Sequence, residues 1–152
     1  MGIFQSINTT GSSLTSQRLR MDVISSNMAN ADTTRAEYDA ETKEWKPYSR
    51  KVVVLQSKEG SFSSFLNAAT GNNSGIGNGV KITEIVKDET PFELDYNPEH
   101  PDANDDGYVE MPNVDPLREM VDLMSVTRSY EANVTVLNAS KGMMMKALEI
   151  GK

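Results

Sequence analysis

Asn113-Val114-Asp115-Pro116 opens the segment that most restricts how this chain can fold. Asp115 suits a helix N-cap, and Pro116 suits the first helical position, where its missing N–H leaves no bond unmade. No proline interrupts the chain from there to Lys152. Along it Met120, Leu123, Thr127, Tyr130, Val134, Leu137, Lys141, Met144 and Leu148 alternate steps of three and four, a coiled-coil seam with polar interruptions. Roughly 34 helical residues at about 1.5 Å each predict a helix about 50 Å long. A chain of 152 residues fits one domain with a modest core. The helix is longer than such a core, so it needs cover from another helix, from other chains, or from both.

The other end supplies a partner. From Ile3 to about Met28 there is no proline and one internal glycine, Gly11, while Ile7, Leu14, Met21 and Met28 recur every seven residues. The companion seam position holds Ile3, Thr10, Gln17 and Ile24, so it is apolar only at its ends. A helix with so narrow a stripe gains little from folding alone and needs something to pack on. Residues 1–31 and 115–152 are therefore expected to form one helical core domain, the two helices pairing as a coiled-coil-like stalk.

Between them, residues 32–114 change character. Asp32 to Tyr38 mixes turn formers with charges and reads as a connector. Tyr48 to Gln56, with Val52-Val53-Val54-Leu55 at its centre, has the composition of a strand. Residues 57–79 are rich in Ser, Asn and Gly and read as a flexible loop. Val80 to Val86, Phe92 to Tyr96 and Tyr108 to Met111 are further short strands. The predicted class is α+β, with long terminal helices and a small β-rich middle.

Charge follows the same division. The net charge is −7, yet residues 1–31 carry +1 and 115–152 are neutral, which leaves −8 on the middle. Near-neutral ends suit contact with protein and an acidic middle suits contact with water. No basic stripe favours nucleic acid. The chain has no cysteine and one histidine, His100, which excludes disulfides, thiolate sites and a histidine-rich metal site. No apolar run near the start has the length of a signal-peptide core.

Candidate chemistry is sparse. Asp102-Ala103-Asn104-Asp105-Asp106-Gly107 reproduces the first half of an EF-hand loop, but Asn113 stands at the closing position where a bidentate glutamate belongs. A solvated turn explains the same residues. His100, beside Glu99 and Asp102, lacks a visible nucleophile or oxyanion site. Five of nine methionines lie on the C-terminal helix, with Met143-Met144-Met145 consecutive, so at least one of the three faces away from the Met144 seam. Methionine suits packing on non-identical neighbours.

Ser26-Asn27-Met28-Ala29-Asn30-Ala31-Asp32-Thr33-Thr34 resembles the Asn-rich signature that follows the first helix in the flagellar axial proteins, the rod, hook and hook-associated subunits. Gly107-Tyr108-Val109-Glu110-Met111-Pro112-Asn113-Val114-Asp115 and Ser129-Tyr130-Glu131-Ala132-Asn133 are similar to the same family near its C-terminal helix. Met111-Pro112-Asn113-Val114-Asp115 and the short middle favour a proximal rod subunit over the longer distal-rod and hook subunits. The likeness runs nearly end to end and is weakest over 57–79. Asp32 stands where relatives commonly carry Asn, and Arg35 where a glycine is expected.

The resemblance implies a non-enzymatic structural subunit of the bacterial flagellar basal-body rod, part of its drive shaft, without cofactor, metal, small-molecule substrate or nucleic acid. It implies copies of itself, neighbouring rod proteins and the flagellar type III export apparatus as partners. The expected location is the basal body in the cell envelope, reached without a cleaved signal peptide. A different rod subunit of the same family and a calcium-binding module are the alternatives. On this reading the assembly interface is the helical seam: Ile7, Leu14, Met21, Met28, Met120, Leu123, Tyr130, Val134, Leu137, Met144 and Leu148.

Overall fold

The structure is a computed structural model that describes residues 3–41, 43–58, 69–70 and 79–150. Helix α1 (Ile3–Ala29) is followed by strands β1 (Glu37–Asp39), β2 (Glu44–Lys46), β3 (Lys51–Ser57), β4 (Val80–Lys87), β5 (Glu93–Tyr96) and β6 (Tyr108–Met111), then helix α2 (Pro116–Ile150). The strands pair β1 with β2, β3 with β4 and β5 with β6, each as a separate two-stranded sheet. This is the α+β arrangement of two terminal helices and a small antiparallel middle. Most of 57–79, read as a loop, lies outside the described residues.

Local chemistry explains the helix ends. Asp115 caps α2, its Oδ1 accepting from the backbone N–H groups of Leu117 at 2.9 Å and Arg118 at 3.3 Å. At the end of α1, Asn30 donates through Nδ2 to the Ser26 carbonyl at 2.8 Å and accepts from the Thr33 hydroxyl at 3.3 Å, which closes the helix. In the Ser- and Thr-rich first half of α1, hydroxyls bond to carbonyls of the preceding turn. Thr10 donates to the Ser6 carbonyl at 2.9 Å and Ser16 to the Ser12 carbonyl at 2.9 Å, so both can be buried without a distant partner.

The β1–β2 hairpin occupies part of what the sequence presents as a connector. Tyr38 pairs with Trp45 and Glu37 with Lys46, and the two aromatic rings stand 5.3 Å apart. Three-residue strands that alternate charged, aromatic and charged side chains fall below the length at which period-two patterning is readable. Strand β3 begins at Lys51 instead of Tyr48, because Tyr48 turns into the interior, where it is 7 % exposed.

The chain forms two compact units. One comprises Met1–Arg20, Val54–Glu84 and Val126–Lys152, and the other Met21–Val53 and Ile85–Ser125. Among the described residues of the first, the buried side chains are Thr10, Ser16, Val126 and Ser140, only one of them apolar. The second has an ordinary core, with Val23, Ile24, Tyr48, Val109 and Val114 all buried.

In the first unit the start of β4 meets α1 closely. Gly79 has φ +92°, and a Cβ built there would overlap the Ser12 hydroxyl, which itself accepts from Val80 N–H at 3.2 Å. Gly79→Ala is expected to destabilise the chain by about 1–3 kcal/mol, from a left-handed backbone combined with the overlap. Adding Ser12→Ala should recover only the steric part. Urea denaturation of both variants checks this, and a Gly79→Ala midpoint equal to wild type would contradict the close approach.

Candidate assembly interface

Within the second unit, α1, β3 and the start of α2 are joined by a buried polar cluster built on Asn27. Its amide has four hydrogen-bonding sites, two donating and two accepting, and all four are used. Oδ1 accepts from the Tyr48 hydroxyl and the Lys51 N–H, both at 3.0 Å; Nδ2 donates to the Lys51 carbonyl at 2.9 Å and to Glu119 Oε2 at 3.1 Å. Glu119 is 0 % exposed, and its other oxygen accepts from Arg50 Nε at 2.7 Å and Nη2 at 2.6 Å. Arg50 also reaches Asp88 at 3.3 Å. Burial opposes the charge on Arg50, but Glu119 and Asp88 outweigh it and push the guanidinium pKa up.

Asn113 completes the cluster in the same way. Its Oδ1 accepts from Arg50 N–H at 2.7 Å, and its Nδ2 donates to the carbonyls of Thr90 at 2.9 Å and Asp88 at 3.3 Å. With Pro112 and Val114 buried on either side, Met111-Pro112-Asn113-Val114-Asp115 forms a tie between the strands and α2. None of these polar residues was picked out by the helical seam. Asn27 and Asn113 stand in the recognisable motifs, whereas nothing local to Arg50 or Glu119 signals that they meet 69 residues apart.

The acidic turn is similarly committed. Asp102 accepts from the Thr34 hydroxyl at 2.8 Å and from Arg35 Nε at 2.6 Å, and the Arg35 guanidinium followed by the Thr34 hydroxyl lowers its pKa. Asn104 Oδ1 accepts from the N–H groups of Asp106 and Tyr108 at 3.1 and 2.8 Å. Arg35 is absent from the residues with positive φ, so this turn does not need the glycine expected there.

The two helices present distinct faces. On α2 the deepest line is Glu119, Val126, Asn133 and Ser140, spaced by seven and mostly polar or small. In the first unit Asn133 Nδ2 donates to Ser13 Oγ at 3.1 Å, a contact that needs short side chains. The apolar seam flanks this line: Leu123, Tyr130, Val134, Leu137 and Met144 are half-buried, as are Ile7, Leu14, Met21 and Met28 on α1. Met120 is 43 % exposed and Leu148 76 %, so these two seam residues face outward.

A second apolar line runs along α2. Leu117, Val121, Met124, Val136, Met143 and Ile150 are all more than half exposed. With Arg128, Ala132, Ala139 and Ala147 between them, they advance by three or four residues per step and hold one face of the helix. The Met143 and Met145 flanks of the methionine triplet are exposed, and Met144 is half-buried. No helix among the described residues is long and apolar enough to cross a membrane, and an exposed apolar face of this length marks an interaction surface.

Two family models match at the helical ends, one for flagella basal body rod proteins over residues 7–36, the other for the C-terminal region of flagellar basal body rod FlgEFG proteins over residues 105–150. Over the full length of both chains, 60 % of residues are identical to the flagellar basal-body rod protein FlgC of Bacillus subtilis (strain 168). The chain belongs to the FlgC family of flagellar basal-body rod proteins. The FlgC of Borreliella burgdorferi is 43 % identical, covering 99 % of this chain and 98 % of its own, and that of Escherichia coli O157:H7 is 41 % identical over all of both. The match over 7–36 in this rod-family chain spans Asn27, Asn30 and the turn to Arg35, and that over 105–150 spans Asn113, Glu119 and both faces of α2.

Proposed function

We propose that this chain is a structural subunit of the flagellar basal-body rod that polymerises through its terminal helices and performs no catalysis. The observation that carries the reading is the exposed apolar line from Leu117 to Ile150 on a helix whose other face already holds the half-buried seam. Folding the single chain leaves that line in water, and burying it against neighbouring subunits supplies the driving force for assembly. The seam residues Ile7, Leu14, Met21, Met28, Met120, Leu123, Tyr130, Val134, Leu137, Met144 and Leu148 set how the helices pack within and between subunits. A close-packed helical wall has the low compressibility that torque transmission requires.

The partners on this reading are copies of the chain and adjoining rod proteins in the basal body. The chain reaches them through the flagellar type III apparatus without removal of a leader. The middle, with its net negative charge, sits outward. The test is complementation of a strain lacking its own copy. The wild-type chain should restore rods and swimming, and Val136→Glu combined with Met143→Glu should not, although both sites are exposed and the isolated variant keeps its thermal midpoint. Normal swimming with the double variant would remove the outward line from the interface.

A further inference from the structure

The second unit holds a cleft that neither the seam nor the buried polar cluster uses. It encloses about 380 Å³ and is lined by Thr34, Lys43, Glu44, Trp45, Pro47, Asp102, Asn104, Tyr108, Val109 and Glu110, residues of both the β1–β2 and β5–β6 hairpins. Val109 and Pro47 are buried and give it a rigid floor, whereas Trp45 and Tyr108 are 53 % and 43 % exposed. Each hairpin therefore leaves an aromatic ring partly in water at the cleft, backed by a second ring: Tyr38 lies 5.3 Å from Trp45 and Tyr96 lies 5.2 Å from Tyr108. Rings held in this way are pre-oriented, so stacking on them costs little side-chain entropy.

Charge selects the occupant. Asp102 is already neutralised by Arg35 and hydrogen-bonded by Thr34, but Glu44 and Glu110 form no ion pair among the described residues. Two unpaired carboxylates against one lysine, Lys43, leave the cleft negative, and it sits in a segment with a net charge of −8. An aromatic wall beside unpaired carboxylates suits a planar cation. A guanidinium stacks on an indole face and presents paired N–H donors to a carboxylate, whereas an ammonium is more strongly hydrated. We propose that this cleft is a docking site for an arginine side chain of an adjoining protein, stacked on Trp45 and Tyr108 and paired with Glu44 or Glu110.

Trp45 is the sole tryptophan, so its emission reports occupancy directly. The full-length chain is titrated with the capped tripeptide acetyl-Gly-Arg-Gly-amide, with the same peptide carrying citrulline, and with an oligosaccharide of N-acetylglucosamine. A saturable change with the arginine peptide only is the expected result. It should weaken about fivefold in one of the two variants Glu44→Gln and Glu110→Gln, as for the loss of one exposed charge pair, and again as ionic strength rises. Equal responses to arginine and citrulline would overturn the charge argument, a response confined to the saccharide would make this a carbohydrate site, and no saturation with any probe would leave the cleft empty of function. The arginine–citrulline comparison on the wild-type chain decides the matter even if either variant folds poorly. Because the measurement needs no rod, its outcome is separable from that of the complementation test.

Discussion

Replacing Leu137 with aspartate is expected to abolish incorporation into the rod and with it swimming. Leu137 is half-buried and lies between Val134 and Met144 on the flank of the inward line of α2. A carboxylate there is either buried without a partner, at a cost of roughly several kcal/mol, or left in water by separating the packed surfaces. Neither outcome permits close packing. The change in helix propensity is less than about 1 kcal/mol, so α2 itself should persist. On the export route proposed above, which would carry an unfolded chain, the subunit should still appear in the culture medium. The measurement pairs a motility assay with detection of the secreted subunit and of rods by electron microscopy. Wild-type swimming would mean that this flank does not hold the rod together.

Glu119→Ala should have the largest effect on the stability of the subunit. The substitution removes the oxygen that accepts both N–H groups of the Arg50 fork and the partner of Asn27 Nδ2 in one step. Breaking a buried ion pair from one side costs about 3–5 kcal/mol, because the remaining charge keeps its desolvation penalty. Arg50 is 17 % exposed and retains Asp88, which places the expected loss near about 3 kcal/mol, or roughly 10 °C in Tm for a chain of this size. Urea denaturation followed by circular dichroism checks this. Adding Arg50→Met should recover part of the loss by removing the stranded charge, but not all of it, since Asp88 and Asn27 then lose partners. An unchanged midpoint in Glu119→Ala would show that the cluster holds nothing together.

The same cluster adds a directional constraint to the few buried apolar side chains among the described residues. Hydrophobic burial is nearly non-directional, whereas an amide with all four sites engaged accepts only one arrangement of its neighbours. Asn27 thereby fixes the end of α1 against β3 and the first turns of α2. The described residues of the first unit hold no counterpart, their deep positions being Thr10, Ser16, Val126 and Ser140.

Both terminal helices, the N-cap at Asp115 and four of the six strands were legible in the sequence, because each depends on spacing or turn chemistry within a few residues. The family was legible for the same reason, its motifs at 26–34 and 107–115 being contiguous. The orientation of α2 was not. The seam read from apolar spacing falls on the flank of the inward face, which is led by Glu119, Val126, Asn133 and Ser140. Hydrophobic periodicity weights large apolar residues, whereas close approach between helices selects short ones and a buried carboxylate only where its counter-charge arrives. That counter-charge, Arg50, lies 69 residues away in the chain, and Asn27, which Tyr48 leaves its strand to meet, lies 21 residues from it. The β1–β2 hairpin and the aromatic cleft it forms with β5–β6 likewise emerge only when segments distant in sequence fold together. The sequence by itself determined the helices, their caps and the family, since those follow from short-range periodicity. Tertiary structure decided which faces turn inward and which charges meet, since both depend on neighbours that no local window contains.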